Sequence, residues 1–452
     1  VANGAPTAVL DHAHVWHPFT QMQEYVAQPP LVIVSGQGGW LTDTEGQRYL
    51  DGNASIWTNV HGHNDPELNA ALLQQLSRVA HSTMLGLAHA PGAELAAELS
   101  ALAPAGLTRT FFSDNGSGAV EIALKLSFQF WQLRGQPEKR AVIGLAHGYH
   151  GDTFGTMAVG DSGFFHERFR SWCFPASHFP APRCHESAGV VHQAEATASL
   201  AALRHLLENQ AERTACLILE PSIQGAAGMQ LQPRGFVRAV AELCREFDVH
   251  LILDEVFVAF GRVGPLFVCA EEEVVPDFLC LAKGLTGGYL PLAATLVREE
   301  IYEAFLGDYA SGRAFFHGHT FTGNPLAAAV ALANIRKLRP LIDDGTIAAR
   351  SRHFGSILTQ TLANCAFVSE IRQRGHAAAL DLTQADGTPF PVALRAGLQV
   401  CLRARAHGLL LRPLGDSLLL VPPLCLTPAE LTLLVERTQA ALLDVLPTLS
   451  SP

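Results

Sequence analysis

The nine cysteines form no pairs along the chain. At positions 173, 184, 216, 244, 269, 280, 365, 401 and 425 they stand singly, with neither a C-x-x-C spacing nor the cysteine–histidine spacing of a zinc site. A disulfide framework is excluded, and a reducing, cytoplasmic setting is expected. Charge is scarce at 16%, and 31 basic against 42 acidic residues leave a net charge of −11. Nothing resembles a basic stripe able to neutralise phosphate backbones, which excludes nucleic acid as a partner. No apolar run approaches the ~18 residues of a membrane span. The opening VANGAPTAVLDH lacks a basic region ahead of an apolar one, so neither membrane insertion nor secretion is expected. Twenty histidines are present, yet His61, His63, His147, His150, His317 and His319 fall beside Gly, Pro and aromatics without paired carboxylates, and no metal site is expected.

Apolar residues, by contrast, make up 48% of 452 positions. A chain of that size exceeds a single core and predicts one large domain with a smaller one. Residues 31–52 alternate apolar and polar around Asp43-Thr44-Glu45-Gly46, the pattern of a hairpin and hence of a small N-terminal sheet. Asn64-Asp65-Pro66-Glu67 supplies a cap and a first-turn proline for a helix carrying Leu68, Leu72 and Leu76. From about 107 to 298, apolar runs (TRTFFSD, AVIGLA, CLILEP, HLILDEV, FLCLAKG) alternate with amphipathic segments. That rhythm predicts an α/β fold, a mostly parallel sheet covered by helices. A helix starting at Asn324-Pro325 leads out of this unit, and a capping box at Thr427–Glu430, stapled by Leu426 and Leu431, opens the last helix. The expected division is a large domain over 66–334 and a smaller α/β domain built from 1–65 and 335–452.

In open α/β sheets ligands bind at the carboxyl ends of the strands, where Asp114, Glu220, Asp254 and Lys283 would meet. Lys283, between an apolar strand and the glycine-rich GLTGG, would have an amine kept partly dry and nucleophilic towards an aldehyde. Asp254 closes the run HLILD, and a carboxylate there needs a cation such as a protonated pyridine nitrogen. Gly116 and Ser117 in SDNGSGAV open a helix whose N-terminus suits a phosphate. Tyr149 could lay its ring on a flat cofactor. Arg412, emerging from LLLRPLG, suits a carboxylate. Each has a plainer alternative: a surface lysine, an Asp capping a helix or meeting an arginine, a packing turn, a half-buried tyrosine, a structural ion pair. Lys283 and Asp254 together disfavour both a plain nucleotide-binding fold and a cofactor-binding protein without turnover.

Collectively these motifs resemble the class III aminotransferases of fold type I, over residues 14 to 440. The resemblance implies pyridoxal 5′-phosphate (PLP), bound covalently at Lys283, with Asp254 on its pyridine nitrogen, Gly116 and Ser117 at its phosphate and Tyr149 stacked on its ring. In HGHTFTGNP, Thr320 resembles the threonine that reaches the neighbouring subunit's cofactor phosphate, with His319 beside it and Gly318 at the substrate. A homodimer with shared active sites follows from that likeness. HVWHPFTQM, SIWTNVHGHND and LLRPLGDSLLLVPP are similar to the branch that converts 8-amino-7-oxononanoate to 7,8-diaminononanoate in biotin synthesis. By that likeness Phe19, Ile56, Trp57 and Tyr149 line the substrate channel and Arg412 binds the substrate carboxylate. The amino donor would be S-adenosylmethionine or lysine, and Phe19 with Ile56-Trp57 looks more like the lysine-using type. The alternative is another ω-amino acid or amine aminotransferase. Ala226 stands where glutamate-using branches carry a glutamate, which argues against a glutamate/2-oxoglutarate enzyme. The family pattern DEVATGFGRTG reads DEVFVAFGRVG here, with Phe257, Val258, Ala259 and Val263 replacing smaller or hydroxyl-bearing residues.

Overall fold

The structure, a computed structural model, describes residues 6–184 and 193–449. Near the N-terminus the alternating segment forms a three-stranded meander rather than one hairpin: β1 (Ile33–Gln37), β2 (Trp40–Asp43) and β3 (Arg48–Asp51). The second turn is the expected one, its Asp43 carboxylate accepting the N–H groups of Glu45 and Gln47 at 2.9 Å each. The first is the two-residue turn Gly38-Gly39, with Gln37 opposite Trp40 and Gly38 at φ +57°. A glycine pair between alternating runs is itself a hairpin signal, and the one-hairpin reading passed over it.

The central sheet holds β4 (Leu107–Ser113), β5 (Ala141–Leu145), β6 (Ser177–Phe179) and β7 (Thr214–Leu219). After the short antiparallel pair β8 (Ile223–Gln224) and β9 (Gln230–Leu231) it continues with β10 (His250–Asp254), β11 (Phe278–Leu281) and β12 (Ala293–Arg298). Its spatial order is β4-β12-β11-β10-β7-β5-β6, parallel except for β12, which runs antiparallel to both neighbours. β7, β10 and β11 are buried on both faces, so they read as unbroken apolar runs. Cys216, Ile218, Ile252 and Cys280 share a core with the helix Gly116–Leu133. Leu217, Leu219, Leu251, Leu253, Leu279 and Leu281 pack the other way, against the helices Ala90–Leu102, Phe236–Glu246 and Pro325–Asp343. Each such leucine contributes about 1.5–3 kcal/mol by leaving water. β6 and β12 were not anticipated: β6 is only three residues long, and β12 follows the glycine loop with no helix between.

A second four-stranded sheet, β13 (Val368–Arg374), β14 (Ala377–Leu382), β16 (Arg412–Leu414) and β17 (Ser417–Leu420), lies towards the C-terminus. Between β14 and β16 the chain sends β15 (Leu409–Leu410) to pair in parallel with β3, and Leu50 joins the same core as Leu409 and Leu434. Thr427 and Glu430 form the expected capping box, with Thr427 N–H to Glu430 Oε2 at 3.0 Å and the return bond at 3.3 Å. Asp65 and Asn324 cap their helices as the sequence suggests. Among the described residues no helix is long and apolar enough to cross a membrane.

Candidate active site

At the carboxyl ends of β4, β7, β10 and β11 opens a cavity of about 650 Å³, lined among others by Asp114, Glu220, Asp254 and Lys283. The four residues expected at this edge therefore do meet. Lys283 begins the loop after β11 and takes φ +46°, a left-handed conformation costing on the order of 1–3 kcal/mol for a residue with a side chain. Its Nζ lies 4.9 Å from the centre of the Trp57 ring and 5.5 Å from that of Phe257. Burial among these rings holds the amine below the usual lysine range, against the pull of the Asp254 and Glu220 charges.

Asp254 is 5% exposed and, among the described residues, forms no ion pair with an arginine or lysine. Its Oδ2 takes the His150 Nδ1–H at 2.8 Å, and its Oδ1 accepts the Val256 N–H at 3.1 Å. His150, which sequence reasoning weighed only as a metal ligand, is thus the partner of the key carboxylate. The signal was its place beside Tyr149 in HGYHGD. Glu220 accepts the N–H groups of Tyr149 and Gly225 at 3.0 Å each, and burial pushes its carboxyl up to about 7.

The helix Gly116–Leu133 aims its N-terminus at the same cavity. Asn115 caps Gly118 N–H at 2.8 Å, which leaves the first-turn N–H groups of Gly116 and Ser117 turned outward. The glycines here are required by space. A Cβ on Gly116 would stand 2.7 Å from Val256 Cγ1, and one on Gly151 would strike Ser117 Oγ.

The opposite wall comes from an unusual turn. Ala54, Ser55, Ile56 and Trp57 have φ of +45°, +46°, +67° and +69°, one turn of left-handed helix closed by Trp57 N–H to Asn53 O at 2.8 Å. It is held from below by Ser55 Oγ on Asp51 Oδ2 at 2.8 Å and Trp57 Nε1 on Asn53 Oδ1 at 3.2 Å. Gly288 makes room for it, since a Cβ there would stand 2.9 Å from Thr58 Oγ1. The glycines of GLTGG and the segment SIWT are therefore two halves of one contact.

Phe19, Ile56, Trp57, Tyr149 and Arg412 all line the cavity, as does Ala226. Arg412 is exposed and has no ion-pair partner among the described residues, so the structural alternative for it lacks a carboxylate. Phe257 packs against Trp57 with ring centres 4.7 Å apart and planes tilted by 53°. Phe165 meets Phe19 edge-on at 5.8 Å and completes the mouth. Gly318, His319 and Thr320 do not line the cavity; they lie on an exposed stretch where His319 Nδ1 approaches Asp114 Oδ2 at 3.3 Å.

A buried amine facing a carboxylate, a helix N-terminus beyond them and flat rings around them fit PLP in size, charge and chemistry. The family model for class III aminotransferases matches residues 21–442. The chain belongs to this family. Among relatives of this class III aminotransferase, the adenosylmethionine-8-amino-7-oxononanoate aminotransferase of Geobacter sulfurreducens is 45% identical over 439 residues, 96% of each chain. A crystal structure of the enzyme of that name from Methanocaldococcus jannaschii superimposes with a TM-score of 0.90 at 38% identity, covering 97% of this chain and 98% of the other. An amine transaminase from an uncultivated Pseudomonas species, solved in its PLP-bound form, matches with a TM-score of 0.86 at 32% identity over 96% and 99% of the two chains. The aminotransferase works with PLP.

Proposed function

We propose that the chain transfers an amino group from S-adenosylmethionine to the ketone of 8-amino-7-oxononanoate, giving the 7,8-diaminononanoate of biotin synthesis. The observation that carries this reading is an apolar channel lined by Lys283 and by Arg412, which has no ion-pair partner among the described residues. A long aliphatic amino ketone ending in one carboxylate has that distribution of polarity. The names of relatives at up to 45% identity support the same substrate. They also support S-adenosylmethionine over lysine. Ile56 offers a sulfonium no π face, but Phe165 beside Phe19 supplies one that the sequence did not reveal.

When bound, PLP supplies an aldehyde that takes up amino groups and a ring that delocalises the electron pair left at the amine carbon. The chain's own residues do the rest. Lys283 would hold the cofactor through its amine and, once free, would be the base and acid that moves the proton at the substrate's amine carbon. Burial, which lowers its pKa from the ordinary lysine value, favours the uncharged amine that this role needs. Asp254 would keep a proton on the cofactor's ring nitrogen, and His150 and the Val256 N–H fix the orientation of its carboxylate. Gly116 and Ser117 would hold the cofactor's phosphate through N–H groups and the helix dipole. Tyr149, Trp57 and Phe257 exclude water from the reacting atoms, and Arg412 fixes the far carboxylate. Thr320, His319 and Gly318, outside this chain's own cavity, serve the neighbouring active site of a homodimer. The large domain spans 66–334 and the smaller one 1–65 with 335–452. Nine free cysteines support a reducing, cytoplasmic location.

Arg412→Met tests the reading. It should raise KM for 8-amino-7-oxononanoate about 10- to 100-fold, the 1.5–3 kcal/mol of a charged hydrogen bond, while leaving a decarboxylated amino ketone unaffected. Equal effects on both acceptors would remove Arg412 from carboxylate binding.

A further inference from the structure

We infer that His166 is a positioning residue for Tyr149, acting through Asp152; this rests on the proposed role of Tyr149 against the cofactor ring. His166 sits where two short 3₁₀ turns, Gly163–Phe165 and Glu167–Trp172, meet, and its side chain is 4% exposed. Its ring stacks on Tyr149 with centres 5.7 Å apart and planes 25° from parallel. Its Nε2 lies 3.1 Å from Asp152 Oδ1, while Asp152 Oδ2 accepts the Tyr149 hydroxyl at 2.9 Å. One carboxylate thus bridges the two stacked rings.

The arrangement has a physical reason. A tyrosine turns about two soft torsions, so a backbone anchor such as the Tyr149 N–H on Glu220 does not fix its ring plane. Asp152, whose side chain is half-exposed, could swing with the hydroxyl it holds. The Nε2–H of His166 takes that freedom away by fixing Oδ1, which presents Oδ2 to the tyrosine. His166 Nδ1 is buried with no hydrogen-bond partner among the described residues, so the bond to Asp152 is the one its ring makes there. The His166 bond is also the largest of the effects that hold the Asp152 carboxyl below its ordinary range. The same segment delivers Phe165 to the mouth of the cavity, so one short stretch both shapes the entrance and braces the tyrosine from behind.

A double-mutant cycle on the PLP-loaded enzyme tests this. The variants are His166→Phe, which keeps a flat ring without the donor, His166→Gln, whose amide replaces the donor, Tyr149→Phe, and the doubles. Two quantities are read: the rate at which a donor amine bleaches the cofactor absorbance, and the visible circular dichroism of the resting enzyme, which reports how the cofactor ring is held. His166→Phe should lose about tenfold in bleaching rate and change the dichroism, His166→Gln should recover most of both, and His166→Phe should add nothing in the Tyr149→Phe background. A His166→Phe enzyme like wild type in both readouts, or one whose loss persists undiminished in the Tyr149→Phe background, overturns the inference. A Tyr149→Phe enzyme unchanged in both readouts overturns the reading of Tyr149 itself. Should His166→Phe fail to fold, His166→Asn, too short to reach Asp152, takes its place in the cycle.

Discussion

Lys283 combines three properties that a surface lysine lacks: a left-handed backbone, a desolvated amine and two aromatic faces within 6 Å. Lys283→Ala should retain PLP through phosphate and ring contacts but bleach with a donor amine at least about 1,000-fold more slowly, a barrier rise of roughly 4 kcal/mol. Absorbance after rapid mixing gives the rate, and near-normal bleaching would assign the proton transfer to another group. At this scale the residues legible in the sequence were those whose local context is itself chemical. Lys283 follows an apolar strand, Asp254 ends one, and Gly116-Ser117 opens a helix. Phe165 and His166 were not legible, because their meaning lies in what stands opposite them, and they come from loops with no period. Phe257 was noticed as a departure from the family pattern, but only its contact with Trp57 says what the extra ring does.

The left-handed turn at 54–57 is the element on which the substrate wall depends. Four consecutive residues with side chains at positive φ are strained, and a β-branched residue at +67° is the least suited of them. Ile56 is 46% exposed, so truncating it sacrifices little buried surface. Ile56→Gly should therefore stabilise the apoprotein, by about 1 kcal/mol after the added freedom of the unfolded chain is subtracted. Chemical denaturation measures this, and a loss of stability would show that Ile56 contributes more by packing than it costs in strain. Strands and helices with strong periodicity were readable, as were their caps, because burial and capping leave marks on consecutive residues. The turn was not, since SIW contains none of the glycine or asparagine that announces a positive φ. β12 escaped for a different reason: it joins the sheet antiparallel, outside the strand–helix rhythm that organised the rest.

For the whole molecule, family and cofactor were readable because the site is assembled from sheet-edge motifs in a fixed chain order, whereas Gly318, His319 and Thr320 lie on an exposed stretch that does not line the cavity. If Thr320 serves the neighbouring site, a mixed dimer of Lys283→Ala and Thr320→Ala subunits places both lesions in one site and leaves the other whole, giving about half of wild-type activity per dimer. Isolated mixed dimers with no intact site would confine Thr320 to its own subunit. The central claim, amino transfer to a carboxylate-bearing amino ketone at Lys283, is tested most directly in a single turnover. The PLP-loaded protein is bleached with S-adenosylmethionine, freed of excess donor, and mixed with 8-amino-7-oxononanoate while absorbance and product mass are followed. The account predicts recovery of the original absorbance together with one equivalent of 7,8-diaminononanoate per active site. Bleached protein that 8-amino-7-oxononanoate leaves unchanged, but that a simple keto acid restores, would contradict it.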